Sequence, residues 1–230
     1  MMENAIAWIL IFPLFGSVAC AILGMGNKKV CYPIAVLSMA ASLWAGIETL
    51  RQVIASEVHT VSYMFGGWTL DKYPRGVGIE FHADILGILI TLVVLGVGLI
   101  VSIYSKLPVQ DETPNKEPLF YTLFLLQITG LAGICLTGDA FNLYVLIEVA
   151  ALTGYGLIAM GSKRAAAATF NYVILGTIGA SLYLLGVGYI YIKTGTLNKV
   201  RIHDVIVANG LADSSTMQVA FVLVGIGILI

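Results

Sequence analysis

Glu148 is the residue of this sequence whose chemistry conflicts most with its surroundings. It stands nine positions into the apolar stretch 140–160. On a helix rising 1.5 Å per residue that is about 12 Å below the start of the span, near the middle of a bilayer. A charged carboxylate at that depth costs at least about 2.5 kcal/mol, so it needs a proton, a cationic partner or a water-filled cavity. Carboxylates in such positions commonly serve proton relays. The competing reading is a protonated glutamic acid whose one interhelical hydrogen bond serves packing alone. Tyr144 lies one turn before Glu148, Tyr155 two turns after it, and Ala151 between them. At helical spacing these make a semi-polar stripe facing the bundle interior, with room for water beside the small residue. Gln127 stands in the middle of the preceding apolar stretch, and Asn171 and Tyr172 stand in the following one. Each could reach Glu148 or share its hydrated path. No lysine or arginine lies inside any apolar stretch, and Lys163 and Arg164 fall at a helix end. A cationic partner would therefore come from further sequence or another subunit, and otherwise a proton takes its place.

The other ionisable residues have plainer readings. Asp139 precedes the stretch that carries Glu148 and suits an N-cap, with a role at a proton access point as the alternative. Asp84 is placed to cap the stretch after it, and Glu48 can reach the interface. His59, His82 and His203 all fall in loops without i, i+4 partners, so no metal site is expected. Cys20, Cys31 and Cys135 form no C-x-x-C pair and read as small buried apolar side chains rather than a disulfide framework.

The elements that hold these residues follow from composition. The 230 residues are 59% hydrophobic and 11% charged, against about a quarter charged in a soluble domain. Mean hydropathy is +0.94. The solvent this composition suits is lipid. A net charge of −1 gives no footprint for nucleic acid. Six apolar runs are long enough to cross a bilayer: 5–25, 30–50, 85–104, 119–137, 140–160 and 166–192. A seventh begins near Met217 and is cut at Ile230, so the expectation is a piece of a longer chain. Continuous apolar runs, rather than alternation, imply helices. The expected fold is an all-α, polytopic transmembrane bundle. The first run lacks a positive leader and reads as a retained helix rather than a signal peptide. Gly176 with Ala180, and Thr177 with Ser181, put small residues four apart, and that face is expected to pack on a neighbour.

Loops add detail. The long second loop, 52–83, holds two alternating segments, Val58-His-Thr-Val-Ser-Tyr and Val77-Gly-Ile-Glu-Phe-His, with turn signals at Gly66-Gly67 and Pro74-Arg-Gly. A small extramembrane hairpin is expected there, and a short amphipathic helix along the interface in 194–216. Basic residues divide evenly, six in loops one, three and five and six in loops two and six. Their density in the short loops favours loops one, three and five in the cytoplasm, which puts the N-terminus outside.

Together these residues resemble a family. Leu136-Thr-Gly-Asp-Ala-Phe-Asn-Leu-Tyr-Val-Leu-Ile-Glu148-Val is similar to the fourth-to-fifth helix signature of antiporter-like subunits found in complex I, membrane-bound hydrogenases and Mrp cation/proton antiporters, most of all the Mrp D subunit. Three further stretches agree in order and spacing: Gly66-Gly-Trp68 with Gly78-Ile-Glu-Phe-His-Ala-Asp84, Asn171-Tyr-Val-Ile-Leu-Gly, and Lys193-Thr-Gly-Thr-Leu-Asn198. The resemblance implies a fold of about fourteen helices with inverted repeats. Residues 1–118 would be the leading helices, and 119–230 an incomplete first repeat, the fold being truncated here in its seventh helix. It also implies that Glu148 pairs with a lysine of that seventh helix, beyond Ile230, to gate proton transfer. Implied partners are other membrane subunits, the bilayer, protons and sodium as one candidate counter-ion, in the inner membrane of a prokaryotic cell.

Two other functions compete. Gly179-Ala-Ser181-Leu faintly resembles a rhomboid-protease serine motif, but no histidine lies in a span to activate the serine. A structural subunit that keeps the fold and conducts nothing is the other. No cofactor is expected, since no flavin, haem, iron–sulfur or nucleotide motif is visible; any redox chemistry would belong to another subunit of a quinone-reductase-like or hydrogenase-like complex.

Overall fold

A computed structural model of the chain describes residues 4–67, 78–113, 115–161 and 164–230, with Glu112 described by its backbone only. Among the described residues, six helices are long and apolar enough to cross a membrane. They are α1 (Ala5–Leu23), α2 (Cys31–Ala55), α3 (Ile85–Tyr104), α5 (Glu117–Leu136), α6 (Ala140–Ala159) and α7 (Ala165–Thr194). Three shorter helices complete the set: α4 (Lys106–Glu112), α8 (Lys199–Ala208) and the apolar α9 (Ser215–Leu229). The membrane-spanning bundle is as the apolar runs predict, while α4 lies in what the sequence reads only as loop. The amphipathic helix expected in 194–216 is α8.

The hairpin forms from β1 (Thr60–Met64) and β2 (Glu80–Asp84), antiparallel, with Thr60 opposite Asp84 and Met64 opposite Glu80. It is shorter than the alternation suggests, and Trp68, Pro74 and Val77 lie outside the described residues. Successive spans alternate in direction. One end of the bundle carries the hairpin, the α5–α6 turn and α8; the other carries the basic loops with Lys28, Lys29, Lys106 and Lys116. At that basic end Lys28 lies 3.5 Å from Glu117, and the Lys106 ammonium sits 5.2 Å above the Tyr32 ring.

The main core lies where α1, α2, α3 and α5 meet, around Ile9, Met39, Ile88, Leu95, Leu125 and Leu136. Pro13 inside α1 cannot donate to the Ile9 carbonyl one turn earlier. With no water in the hydrocarbon, that carbonyl needs another donor. Ser42 of α2 supplies it, its hydroxyl donating to Ile9 O at 2.6 Å. Asp84 and Asp139 cap α3 and α6 as expected, each accepting from a backbone N–H at 2.6 Å.

Beyond α5 packing depends on small residues. A Cβ at Gly130 would lie 2.8 Å from the Ala150 backbone, so α5 and α6 touch closely there. On α7 the Gly176 and Ala180 face turns inward, as expected. Thr177 and Ser181 correct the reading: both are exposed and return their hydroxyls to their own helix, at Val173 O and Thr177 O. They lie about 100° round the helix from Gly176 and Ala180, too far for all four to share one contact.

Candidate functional site

Tyr144, Glu148, Ala151 and Tyr155 fall on one face of α6 and line one cavity of about 340 Å³. Its other walls come from Gly176, Gly179, Ala180 and Tyr183 on α7, from Gly227 and Ile228 on α9, and from Ile230 just after α9. Glycines set its shape. A side chain at Gly176 would collide with the Tyr155 hydroxyl, and a Cβ at Gly227 would meet the Gly179 carbonyl at 2.7 Å. Helices α7 and α9 therefore run backbone to backbone, antiparallel, with Gly179 at Gly227 and Gly186 at Ala220.

Glu148 is half-buried and makes no hydrogen bond or ion pair among the described residues. Its carboxylate interacts electrostatically with Tyr155.

Gln127 and Asn171 are not part of this cavity. Gln127 accepts a hydrogen bond from Thr153 Oγ1 at 2.9 Å in the α5–α6 seam. Gly154 leaves the room it needs. Asn171 is exposed on α7. Gln127 faces α6 at Thr153, and Asn171 lies near the start of α7, five residues before Gly176 meets Tyr155.

Asp139 belongs to a second polar group at the hairpin end. There the α5–α6 turn, β2 and the start of α8 are tied together. Gly138 N donates to Glu80 O at 2.8 Å, and Lys199 N to Gly138 O at 2.9 Å. The Asn198 amide donates to the Glu80 carboxylate, and the Lys199 ammonium to the Thr137 carbonyl at 2.9 Å. Glu80, Asn198 and Asp139 are all buried. Burial pushes the Asp139 carboxyl above the usual carboxylate range. The Glu80 charge adds to that, while the Asn142 and Phe141 amides and Lys199 oppose it. Lys199 is exposed as a residue, yet its ammonium is drawn inward. That desolvation lowers its pKa against the pull of Asp139.

Sequence reasoning missed Tyr183, Glu80, Asn198 and Lys199. Tyr183 was findable, since it lies seven residues after Gly176 and three after Ala180 on the inward face. The contact of Glu80 with Asn198 spans 118 positions and leaves no local signal. Among the described residues no group of three or more potential metal ligands comes together.

A multi-pass bundle of membrane-length helices, with a carboxylate facing a cavity between three of its helices, defines a class: polytopic helical membrane proteins. The family model described as "NADH:quinone oxidoreductase/Mrp antiporter, TM" matches residues 137–230. The chain is 36% identical to the N subunit of the NADH-quinone oxidoreductase of Desulforudis audaxviator over 96% of its own length and 43% of that protein's. It is 31% identical to the D subunit of the Na(+)/H(+) antiporter of Bacillus subtilis over 82% of its own length and 37% of that protein's. It superimposes on a chain of the membrane-bound sulfane sulfur reductase, an archaeal respiratory membrane complex, with a TM-score of 0.84 and 28% identity, covering 98% of this chain and 44% of that one. A chain of the Mrp complex from a Dietzia species shares the fold, with a TM-score of 0.76, 23% identity, and coverage of 99% and 41%. The chain belongs to the antiporter-like membrane subunits of the complex I and Mrp antiporter family. It spans less than half the length of these relatives.

Proposed function

We propose that this chain is part of a proton-translocating, or cation/proton-exchanging, subunit of a multisubunit membrane complex, with Glu148 as its midplane proton-transfer carboxylate. The observation that carries the proposal is the cavity that Glu148 shares with Tyr144, Tyr155 and Tyr183. The names of the quinone oxidoreductase and Na(+)/H(+) antiporter relatives support the same class of activity, with protons and sodium as the ions to test first. Residues 119–230 would form an incomplete first inverted repeat after the leading helices in 1–118. The lysines at the end opposite the hairpin would face the cytoplasm of a prokaryotic cell, leaving the N-terminus outside.

A cation brought near Glu148 would hold it ionised, and withdrawing that cation would let it take a proton. No described lysine or arginine lies within ion-pair distance, so the cation would come from outside the described residues. That same observation favours a second reading, a structural subunit that conducts nothing. Glu148→Gln separates the two. In sealed vesicles carrying the full complex, the proposal expects coupled ion movement to disappear while assembly persists. Unchanged transport by the assembled mutant would favour the structural reading.

A further inference from the structure

The Glu148 cavity and the polar group at the hairpin end lie on either side of one small apolar cluster. Its buried members are Ala140, Tyr183 and Val187, with Leu143, Leu197 and Ile202 packed around them. These residues come from the start of α6, from α7, from the turn after α7 and from α8. The cluster thus closes the bundle where all four segments meet. Tyr183 is 5% exposed and touches both sides. It lines the cavity that holds Glu148. Its hydroxyl donates to the Ala140 carbonyl at 3.0 Å and lies near enough to Asp139 to interact with it electrostatically. Ala140 N in turn donates to Leu197 O at 2.8 Å, which fixes the turn against α6. On the far side lie the buried Asp139 and Glu80 and the Lys199 ammonium, which donates to the Thr137 carbonyl and interacts electrostatically with Asp139; the Lys199 residue is open to solvent.

We infer that Tyr183 is the plug of a gate that separates the Glu148 cavity from the Asp139–Lys199–Glu80 group at the hairpin end. An apolar constriction blocks protons by excluding the water that would carry them. The ring of Tyr183 fills the constriction. The hydrogen bond to the Ala140 carbonyl latches the ring in place, because rotating it away would leave the buried tyrosine hydroxyl without an acceptor. Tyr183 is a positioning residue here, not a proton carrier, since its hydroxyl proton is already committed to that carbonyl.

This inference rests on the proposed role of Glu148, and the test keeps the two apart. The intact complex carrying the full-length subunit is reconstituted in liposomes, and passive proton leak is followed with an entrapped pH-sensitive dye. Tyr183→Ala is expected to raise the leak about tenfold or more, as about 1.4 kcal/mol off a barrier would. Tyr183→Phe keeps the ring but loses the latch, and should leak at a level between wild type and Tyr183→Ala. The double variant Tyr183→Ala with Glu148→Gln should return to the wild-type leak. If Tyr183→Ala disrupts assembly, Val187→Ala thins the same cluster and should leak through the same Glu148-dependent route. A leak that persists in the Glu148→Gln background, or no leak from a folded variant, overturns the gate. If Glu148→Gln alone stops coupled transport while the Tyr183→Ala and Val187→Ala complexes stay tight, only the gate fails. If Glu148→Gln leaves coupled transport unchanged, the proposed function fails first.

Discussion

Helices α1, α2, α3 and α5 are packed unlike α6, α7 and α9. The first group shares one continuous core of large side chains, and half of the apolar window of α5 is buried within the protein. The second group has two small clusters, glycine contacts between backbones, and a cavity; only 17% of the corresponding window of α6 is buried. Helices α2 and α5 are about as apolar as α7, so hydropathy alone does not separate the groups. Side-chain size and spacing do. Leu and Ile interlock, whereas Gly176, Gly179 and Gly227 let helices approach while leaving a cavity beside them. The lesson is that the carboxylate sits in the half that can afford empty space, braced by a half that cannot.

The sharpest challenge to that contrast is a pair of truncations. Leu125→Ala in the main core should cost about 2–5 kcal/mol, because neighbours on all sides prevent collapse. Val187→Ala beside the cavity removes less volume at a place that can relax, and should cost about 1–2 kcal/mol. Chemical denaturation of the purified subunit in detergent reads both. Equal losses would mean the two halves are packed alike.

A smaller effect tests the scaffold's backbone bonding. Ser42→Ala orphans the Ile9 carbonyl that Pro13 leaves free, at about 1–3 kcal/mol. Replacing Pro13 with alanine in the same chain restores a helical donor and should recover most of the loss. Failure to recover would show that Ser42 matters for packing rather than for that carbonyl.

The smallest effect belongs to the hairpin end. The Asp139 carboxyl is raised in the folded protein, so between its ordinary value of 3.8 and its raised value the folded state binds the extra proton. Its contribution is present below that window and is lost as pH rises through it. Asp139→Asn keeps an N-cap and should change stability by no more than about 1 kcal/mol at neutral pH, while removing that pH dependence. Amide exchange at Asn142 across acidic pH measures it, and an unchanged slope in the variant would assign the titration elsewhere.

The sequence by itself determined the solvent and the spans, because runs of about 20 apolar residues have few ways to satisfy their backbone in lipid except as helices. It also determined the caps at Asp84 and Asp139, the hairpin and the short helix α8, all signals that act within a few residues. The stripe of Tyr144, Glu148 and Tyr155 was legible because helical spacing fixes which residues share a face. The same spacing did not tell that Gln127 meets Thr153 in the α5–α6 seam rather than lining the Glu148 cavity. Depth along a helix says nothing about which side of it meets a neighbour. Only the tertiary structure decided that α9 closes the cavity, that Tyr183 stands between Glu148 and Asp139, and that Glu80 meets Asn198 across the hairpin end. Those contacts depend on how closely glycine lets helices approach, a property of the packed pair that neither sequence segment carries alone.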